Sequence, residues 1–431
     1  MNKRRSHRFG ILCDGLTLVL VLYSAAWAQD VLRVQLTGLE LTAINYIREV
    51  IVPKFEEEHG VKVEIETVYW DRRMETLLIQ TAAGMPPDIY MSGAEHILEL
   101  VQNELIYPID EYWYAWEEAD DFFPATLGSS TFKGTRYGVP IYTAPRVWWY
   151  RISLFEEAGL DPASPPSTWE ELLAATRRLT RYEGDTVVQQ GYNLTRFNPG
   201  DMYSSLQDFT VFLWQAGGEL VDPETLKPLF NSAEGALALD FMLELIETVK
   251  GPAVNLPADT WNNFAFSRRA AAIYLAGPWI PADIQRNYPE AVEDVAASSN
   301  LSGPEGSGSV VFSDWLGIHP NSPNKELAWR FIQELTASDA LLEMHLQNGS
   351  LSPRRSTVMD YAAAIPLSRY MYESMAFVRP FPVFPNPDRA ASEWFVQYME
   401  VLEGYIGPGE ALSEAARLWE VWARELEETH S

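Results

Sequence analysis

The fold of this chain is predicted from residues 133–179, which read KGTRYGVPIYTAPRVWWYRISLFEEAGLDPASPPSTWEELLAATRRL. Residues 136–142 have the composition of a strand, but Pro140 has no N–H to donate and a long central strand would not accept it. We therefore predict that this segment crosses from one domain into another. Residues 147–150 return to the composition of a strand. The pattern also fits one more hairpin in a single large α/β protein, so the rest of the chain has to decide.

A helix is predicted to follow this crossing. Pro166 halts the preceding segment, and Ser167 and Glu170 have the spacing of a capping box. Trp169 falls inside the first turn, where we expect it to pack in the core. At 431 residues the chain is long enough for two domains that each bury a core.

The first 28 residues are predicted to be an export signal. A basic start is followed by the apolar run 16–23, and Ala26-Trp27-Ala28 has the small-x-small pattern that signal peptidase cleaves. The run is well short of the ~20 residues that a spanning helix needs. Cys13 is the chain's only Cys and precedes most of the apolar run, which does not fit a lipid anchor. We expect a periplasmic protein that is cleaved after Ala28 and diffuses freely.

Composition excludes several classes of partner. The formal net charge is −28 at pH 7, so the long-range field repels nucleic acid and anionic lipid. No HExxH, Gly-x-Ser-x-Gly or Cys/His cluster is present, so no catalytic residue, metal site or cofactor is predicted. The chain has 15 Trp, which makes aromatic surfaces the sharper clue to its ligand.

The order of predicted elements is typical of an α/β fold. The amino-terminal part reads as strand 31–36, helix 41–58, strand 61–68, helix 71–83 and strand 88–91. This βαβαβ order indicates a largely parallel sheet flanked by helices, in which ligands bind beyond the carboxyl ends of the strands. The later part is predicted to contain helices 203–216, 234–249, 325–335, 337–347 and 411–426, strands 270–275 and 310–318, and a glycine-rich surface turn at 303–308.

A set of short motifs occurs in a fixed order along the chain. They are AAGMPPDI at 82–89, YGVP at 137–140, LFEEAGL at 154–160, PSTWEE at 166–171, Gly217-Gly218, the segment 270–279, and residues 324–338 followed by 349–354. In this order and spacing the motifs make nearly the whole mature chain resemble the extracellular solute-binding proteins of family 1, the sugar-binding subunits of ABC importers.

The resemblance implies a periplasmic binding protein fold, in which two α/β lobes are joined by three crossings and hold the solute between them. The crossings would lie near 139–146, 309–314 and 348–353. Lobe 1 would comprise residues 29–142 and 314–350, and lobe 2 residues 143–313 and 351–431. The implied function is to capture a sugar or oligosaccharide and deliver it to the permease of an ABC transporter. We expect a monomer whose lobes close on the ligand.

A sugar offers flat CH faces and a rim of hydroxyls, so its site needs aromatic rings and paired hydrogen-bonding groups. Trp279 is the first candidate, because it matches the family's stacking Trp after Gly-Pro. Asp314 and Trp315 lie beside the second crossing, and Ser92, Gly93 and Glu95 follow the third strand. The further candidates are Glu40, Tyr142, Arg146, Trp70, Trp148, Trp214, Trp394 and Arg354. Core packing fits the spacing of Trp70, Trp148, Trp214 and Trp394 at least as well, and it stays open for Trp279. Glu95 could instead cap the next helix, and an exposed ion pair fits Arg354 equally well.

Two other functions fit the chain less well. One is a secreted glycosidase with paired carboxylates, although no family motif surrounds any such pair. The other is the same fold binding a cationic or other non-sugar solute such as a polyamine, a metal complex or a peptide. The sequence therefore leaves the ligand class open.

Overall fold

A computed structural model of the chain describes residues 31–193, 202–249, 262–299 and 301–429. The predicted export signal, residues 1–28, lies outside the described residues. The strands are β1 Val31–Thr37, β2 Lys62–Val68, β3 Ile89–Ser92, β4 Thr131–Phe132, β5 Thr135–Arg136, β6 Gly138–Pro145, β7 Val147–Arg151, β8 Arg181–Glu183, β9 Thr186–Asn193, β10 Ala271–Ala276, β11 Val295–Ser298, β12 Ser302–Gly303, β13 Gly306–Ser307, β14 Ser309–Ile318 and β15 Val378–Pro380.

The helices agree with the predicted ones to within a few residues wherever the periodicity is strong. They are α1 Leu41–Tyr46, α2 Val52–His59, α3 Arg73–Ala82, α4 Ile97–Gln102, α5 Asp110–Tyr114, α6 Pro124–Leu127, α7 Ile152–Glu157, α8 Trp169–Leu179, α9 Met202–Gln215, α10 Ala233–Val249, α11 Asn262–Ser267, α12 Trp279–Asn287, α13 Lys325–Leu335, α14 Ser338–Asn348, α15 Val358–Ala364, α16 Arg369–Ser374, α17 Pro387–Leu402 and α18 Pro408–Thr429. A π-helical turn, Ile47–Ile51, joins α1 to α2.

The strands form two main sheets. The first sheet has the order β15-β14-β3-β1-β2, with β6 also paired to β14, and β1 runs parallel to both β2 and β3. The βαβαβ prediction is thereby confirmed. The second sheet has the order β11-β7-β10-β9-β8, in which β10 and β9 are parallel and β7 is antiparallel to both of its neighbours. Strands β8, β9, β11 and β15 are absent from the sequence prediction.

The prediction that Pro140 excludes a long strand is wrong. Pro140 lies within the eight-residue strand β6 and opposes Trp315 of β14. The register shifts between Asp314 and Trp315, at the place where the proline sits. Because β6 is bonded to β14 alone within the sheet, the missing N–H costs no central ladder bond.

The three predicted crossings lie side by side around Thr143. Thr143 opposes Ser313 of β14, and the Ser313 hydroxyl donates to its Oγ1 at 3.1 Å. The Thr143 N–H donates to the carbonyl of Leu351 at 2.9 Å. Buried His345 adds a second link, because its Nε2 is 2.8 Å from the Ile141 carbonyl and its Nδ1 is 2.7 Å from the Ser350 hydroxyl. Hydrogen bonds thus connect all three segments across a few residues.

Two groups of buried side chains follow the two sheets. Phe55, Trp329 and Phe331 belong to the core beside the first sheet, whereas Trp169 and Trp419 belong to the largest core beside the second. We propose the predicted lobe boundaries on this basis, with one departure: β15 lies beyond residue 350 but pairs with β14 in the first sheet.

The start of α8 lies one residue later than the predicted capping box. Thr168 is the N-cap, and its Oγ1 accepts a hydrogen bond from the Glu171 N–H at 3.2 Å. The Glu171 carboxylate accepts from the Ser167 N–H at 2.8 Å, and this bond is the main cause of its lowered pKa. Trp169 is buried and stacks on Phe241 with ring centroids 4.1 Å apart, so its predicted core role is confirmed.

Gly191→Ala is expected to lower the free energy of unfolding by about 3 kcal/mol, because a buried site would be overpacked. Strand β9 lies so close to α8 that a Cβ at position 191 would overlap the Thr176 carbonyl. Urea denaturation measures the effect. Gly407→Ala is the matched control, since a Cβ there meets no atom within 4 Å. Equal stabilities of the two variants would contradict this account of the packing.

Candidate ligand-binding site

A cavity of about 180 Å³ lies where elements of the two sheets meet. Its wall is formed by Trp70, Glu95, Tyr142, Arg146, Tyr203, Ser204, Gln207, Phe312 and Asp314. Trp70 and Glu95 come from loops that follow strands of the first sheet, as the parallel order predicts. Tyr203, Ser204 and Gln207 come from the first two turns of α9, which packs in the core beside the second sheet.

Two carboxylates converge at the lobe-1 side of the cavity. A Cβ on Gly93 would lie 2.5 Å from one Glu95 oxygen and 2.9 Å from Asp314 Oδ1. Both acids are more than nine-tenths buried. A side chain at position 93 would displace these carboxylates from their present positions, which accounts for Gly93 without a direct ligand contact.

Arg73 lies behind this pair and was not a sequence candidate. Its guanidinium forms an ion pair with Glu95 and stacks on the Trp70 ring, 3.8 Å from the ring centroid. It also donates a hydrogen bond to the Trp70 carbonyl. One buried cation therefore contacts two of the residues that line the cavity.

The charge state of Asp314 is set by opposing effects. Burial raises its pKa to about 6, while Arg73, a hydrogen bond with the Trp70 side chain and Arg146 act to lower it. Burial also raises the pKa of the neighbouring Tyr142 phenol, with a further contribution from Asp314. At neutral pH Asp314 is mostly ionised, so the cavity offers carboxylate oxygens as acceptors for hydroxyl groups.

Arg146 forms the opposite side of the cavity. Its Nε donates to Gln207 Oε1 at 2.8 Å and its Nη1 to the Ala144 carbonyl at 2.7 Å. Its guanidinium lies 4.4 Å from the Trp279 ring centroid and 4.6 Å from that of Phe312. Burial lowers the pKa of Arg146 to about 10, so it stays a cation at neutral pH. With Arg73 it balances the two carboxylates.

The structure brings five of the sequence candidates to the cavity wall, namely Trp70, Glu95, Tyr142, Arg146 and Asp314. Trp279 is next to it, with Arg146 covering one face of its ring. Ser92 is buried at the end of β3, immediately before Gly93.

The other tryptophan candidates are not brought to this cavity. Successive side chains of a strand face opposite sides, so Trp315, beside Asp314, packs in the core with Tyr90. Trp394 stacks on Phe209 at 4.1 Å and is fully buried. The same core holds Trp148 and Trp214.

Two charged candidates pair elsewhere. Arg354 is buried and forms ion pairs with Glu118 at 2.6 Å and Asp121 at 3.4 Å. Glu40 lies 3.8 Å from Arg286, where both side chains are exposed. Each pairing gives the residue a role without a ligand.

The residues that sequence reasoning missed are Arg73, Tyr203, Ser204, Gln207 and Phe312. The residues of α9 could have been found from the sequence, because the polar pair Gln207-Asp208, which is buried, interrupts an otherwise largely apolar helix. Buried polar groups need partners, and such a pair points to a polar site. Tyr203 donates a hydrogen bond to Asp388 of α17 at 2.6 Å.

Larger surface grooves do not combine these features. One of about 530 Å³ lies beside β11 and α16, and another of about 590 Å³ lies against β1, β2 and α3. Each is lined from one sheet and its neighbouring elements. The smaller cavity is preferred because both sheets contribute to it and because it concentrates buried charge beside aromatic rings.

The described residues were also compared with the requirements of a membrane span and of a metal site. None of the helices placed there is both long and apolar enough to cross a membrane. Within the same residues, no group of three or more His, Cys, Asp or Glu side chains is arranged to hold a metal ion.

Known proteins resemble the chain in sequence and in structure. Residues 40–341 match the bacterial extracellular solute-binding protein family. A putative binding protein of Brucella abortus is 27% identical over 354 residues, which cover 80% of this chain and 82% of that protein. The maltodextrin-binding protein MdxE of Bacillus subtilis is 25% identical over 322 residues, or 73% of this chain and 71% of that protein.

Among solved structures, the sugar-binding protein MalE of Xanthomonas citri superimposes with a TM-score of 0.80 at 22% identity, over 93% of this chain and 99% of that one. The predicted fold is thereby confirmed: two α/β lobes of the periplasmic binding protein type.

Proposed function

Because the chain belongs to the bacterial extracellular solute-binding proteins, we propose that it captures a sugar or oligosaccharide in the cavity between its lobes and delivers it to an ABC transporter permease. The observation that carries the proposal is the cavity wall. Trp70, Tyr142 and Phe312 offer ring faces, and Glu95 and Asp314 offer acceptors for hydroxyl groups. The maltodextrin-binding relative supports this ligand class.

We further propose that the protein is exported by cleavage after Ala28 and acts in the periplasm. The family is extracellular by its description, which supports the export. Mass spectrometry of the mature protein tests the site: an amino terminus at Gln29 is expected, and a lipid-modified terminus would contradict free diffusion.

A thermal-shift screen against monosaccharides, polyols and maltodextrins tests the ligand class. A ligand present at 100 times its Kd adds about 2.7 kcal/mol to the free energy of unfolding. We expect micromolar or tighter binding, about −8 kcal/mol or better, with little dependence on ionic strength. Strong weakening by salt would favour a cationic solute, although Arg73 and Arg146 balance the carboxylates of the cavity.

Trp70→Ala is expected to weaken sugar binding by about 10–100-fold, because the variant removes a ring face and the hydrogen bond to Asp314. The Trp70 side chain is partly exposed, so the free energy of unfolding should change by less than about 1 kcal/mol. Isothermal titration calorimetry measures the affinity. Tyr69→Ala removes a neighbouring, more exposed ring and serves as the control. Equal losses in the two variants would exclude a specific role for Trp70.

We propose that the site binds without catalysis, in keeping with a family of substrate-binding proteins. Glu95 is tied to Arg73 and is therefore poorly placed as a proton donor. Incubation with oligosaccharides should give no product over time. Product formation by the wild-type protein that is lost in Glu95→Ala would overturn this part of the proposal.

A further inference from the structure

We propose that Arg73 is the positioning residue of this site. It lies outside the cavity wall, yet it fixes Trp70 and Glu95 in the arrangement that meets the ligand. The inference rests on the proposed function for its link to binding. Its structural half, that Arg73 orients Trp70, can be tested without any ligand.

A single guanidinium, that of Arg73, contacts both Trp70 and Glu95. The guanidinium stacks on the Trp70 ring at 3.8 Å, donates to the Trp70 carbonyl and forms an ion pair with Glu95. Apart from this stack and its hydrogen bond with Asp314, Trp70 is a partly exposed side chain in a short turn before α3. Losing the stack would free its ring to adopt other rotamers.

Arg73 also lies among the buried charges of the site. Around its guanidinium lie the carboxylates of Glu95, Asp314 and Asp388 and the phenols of Tyr142 and Tyr203, while His96 is held neutral by burial and by Arg73 itself. Two buried carboxylates that converge over Gly93 repel each other unless a cation compensates them. Arg73 is the cation that contacts Glu95 directly and also acts on Asp314.

The packing of α3 fixes the backbone of Arg73 in place. Arg73 is the first residue of α3, whose Leu77 is buried in the core with Tyr90 and Trp315. Further along the helix, Gln80 donates to Glu66 of β2 at 2.7 Å. A side chain that starts from a fixed helix can hold its neighbours in place.

The chemistry favours arginine over lysine at this position. A guanidinium is planar, so it can stack on an indole ring while its edge binds a carboxylate. An ammonium group keeps the charge but has no planar surface with which to stack flat on the ring. Arg73→Lys therefore separates orientation from charge, and Arg73→Gln removes both.

The test uses full-length protein labelled with 5-fluorotryptophan. The Trp70 resonance is assigned by its loss in Trp70→Phe and followed by ¹⁹F NMR in Arg73→Lys and Arg73→Gln. We expect it to move toward the position of a solvent-exposed indole in both variants, while the resonance of core Trp419 stays in place. Arg72→Gln is the matched control, because Arg72 is an exposed neighbour paired only with Glu75 among its described ion partners.

Binding of maltotriose, measured by calorimetry, gives the functional half. Both Arg73 variants should lose at least tenfold in affinity, and Arg72→Gln should keep it. If Arg73→Gln fails to fold because Glu95 is left unpaired, the double variant Arg73→Gln/Glu95→Gln takes the place of Arg73→Gln in both measurements. Its affinity is then compared with that of Glu95→Gln alone, since Glu95 itself lines the cavity.

The outcomes are distinct. A Trp70 resonance that keeps its wild-type position in the Arg73 variants overturns the proposal, and so does a shifted resonance with unchanged maltotriose affinity. If maltotriose does not bind even the wild-type protein, the proposed ligand is at fault, and the Trp70 resonance still decides whether Arg73 orients that ring.

Discussion

Asp314→Asn is expected to stabilise the ligand-free fold at neutral pH while it weakens sugar binding. Burial raises the pKa of Asp314 from its ordinary value of 3.8 to about 6. The folded state therefore binds this proton more tightly than the unfolded state does. The contribution of protonated Asp314 to the free energy of unfolding is fully present below pH 3.8 and is lost as pH rises through about 6.

The difference between the folded and the ordinary pKa of Asp314 corresponds to about 3 kcal/mol of unfolding free energy at neutral pH, since one pKa unit is worth about 1.4 kcal/mol. An amide carries no such penalty, and Arg73 keeps Glu95 as its partner in the variant. The gain of Asp314→Asn over the wild type should thus be small near pH 4 and grow up to about pH 7. Urea denaturation across this range measures it.

The same substitution should lower the affinity for the sugar by about tenfold or more, because it replaces a charged acceptor by a neutral amide. Asp88→Asn is the matched control: Asp88 is a buried carboxylate outside the cavity that accepts from the Arg33 N–H at 2.8 Å. That control should bring no gain in stability and no change in affinity. A variant Asp314→Asn with wild-type affinity would remove Asp314 from the site.

Trp394→Ala is expected to lower the free energy of unfolding by about 3–5 kcal/mol, the usual cost of a large cavity in a core. Trp394 is fully buried and stacks on both Phe209, at 4.1 Å, and Tyr398, at 6.2 Å. The folded variant should bind sugar with unchanged affinity, which separates its core role from the cleft role that its sequence also allowed.

Chemical denaturation and calorimetry at a temperature where the variant is folded measure the two quantities. Trp394→Phe is the control, because it keeps most of the apolar volume and should lose much less stability. A large loss of affinity in the folded Trp394→Ala variant would return this residue to the list of ligand contacts.

Sequence patterns predicted most of the long helices and the parallel strands, because burial of one face imposes a period that can be read along the chain. Helix α13, Lys325–Leu335, is found at its predicted bounds. The short strands β11 and β15 were missed, since three or four residues carry too little periodicity. Pro140 was misjudged because whether a strand is at an edge depends on its neighbours in space.

The sequence by itself determined the fold class, the family and the loop that follows β3, where Glu95 lies. The family follows from the resemblance carried by the short motifs. The fold class and the loop follow from local periodicity and from the order of elements, which a parallel sheet converts into a common edge. Tertiary structure decided which aromatic and charged residues meet. It placed Asp314 at the cavity and its neighbour Trp315 in the core, and it brought Arg73 behind Trp70 and Glu95. The reason is that burial and partnership depend on residues distant in sequence, so spacing along the chain cannot distinguish a ligand platform from a core side chain.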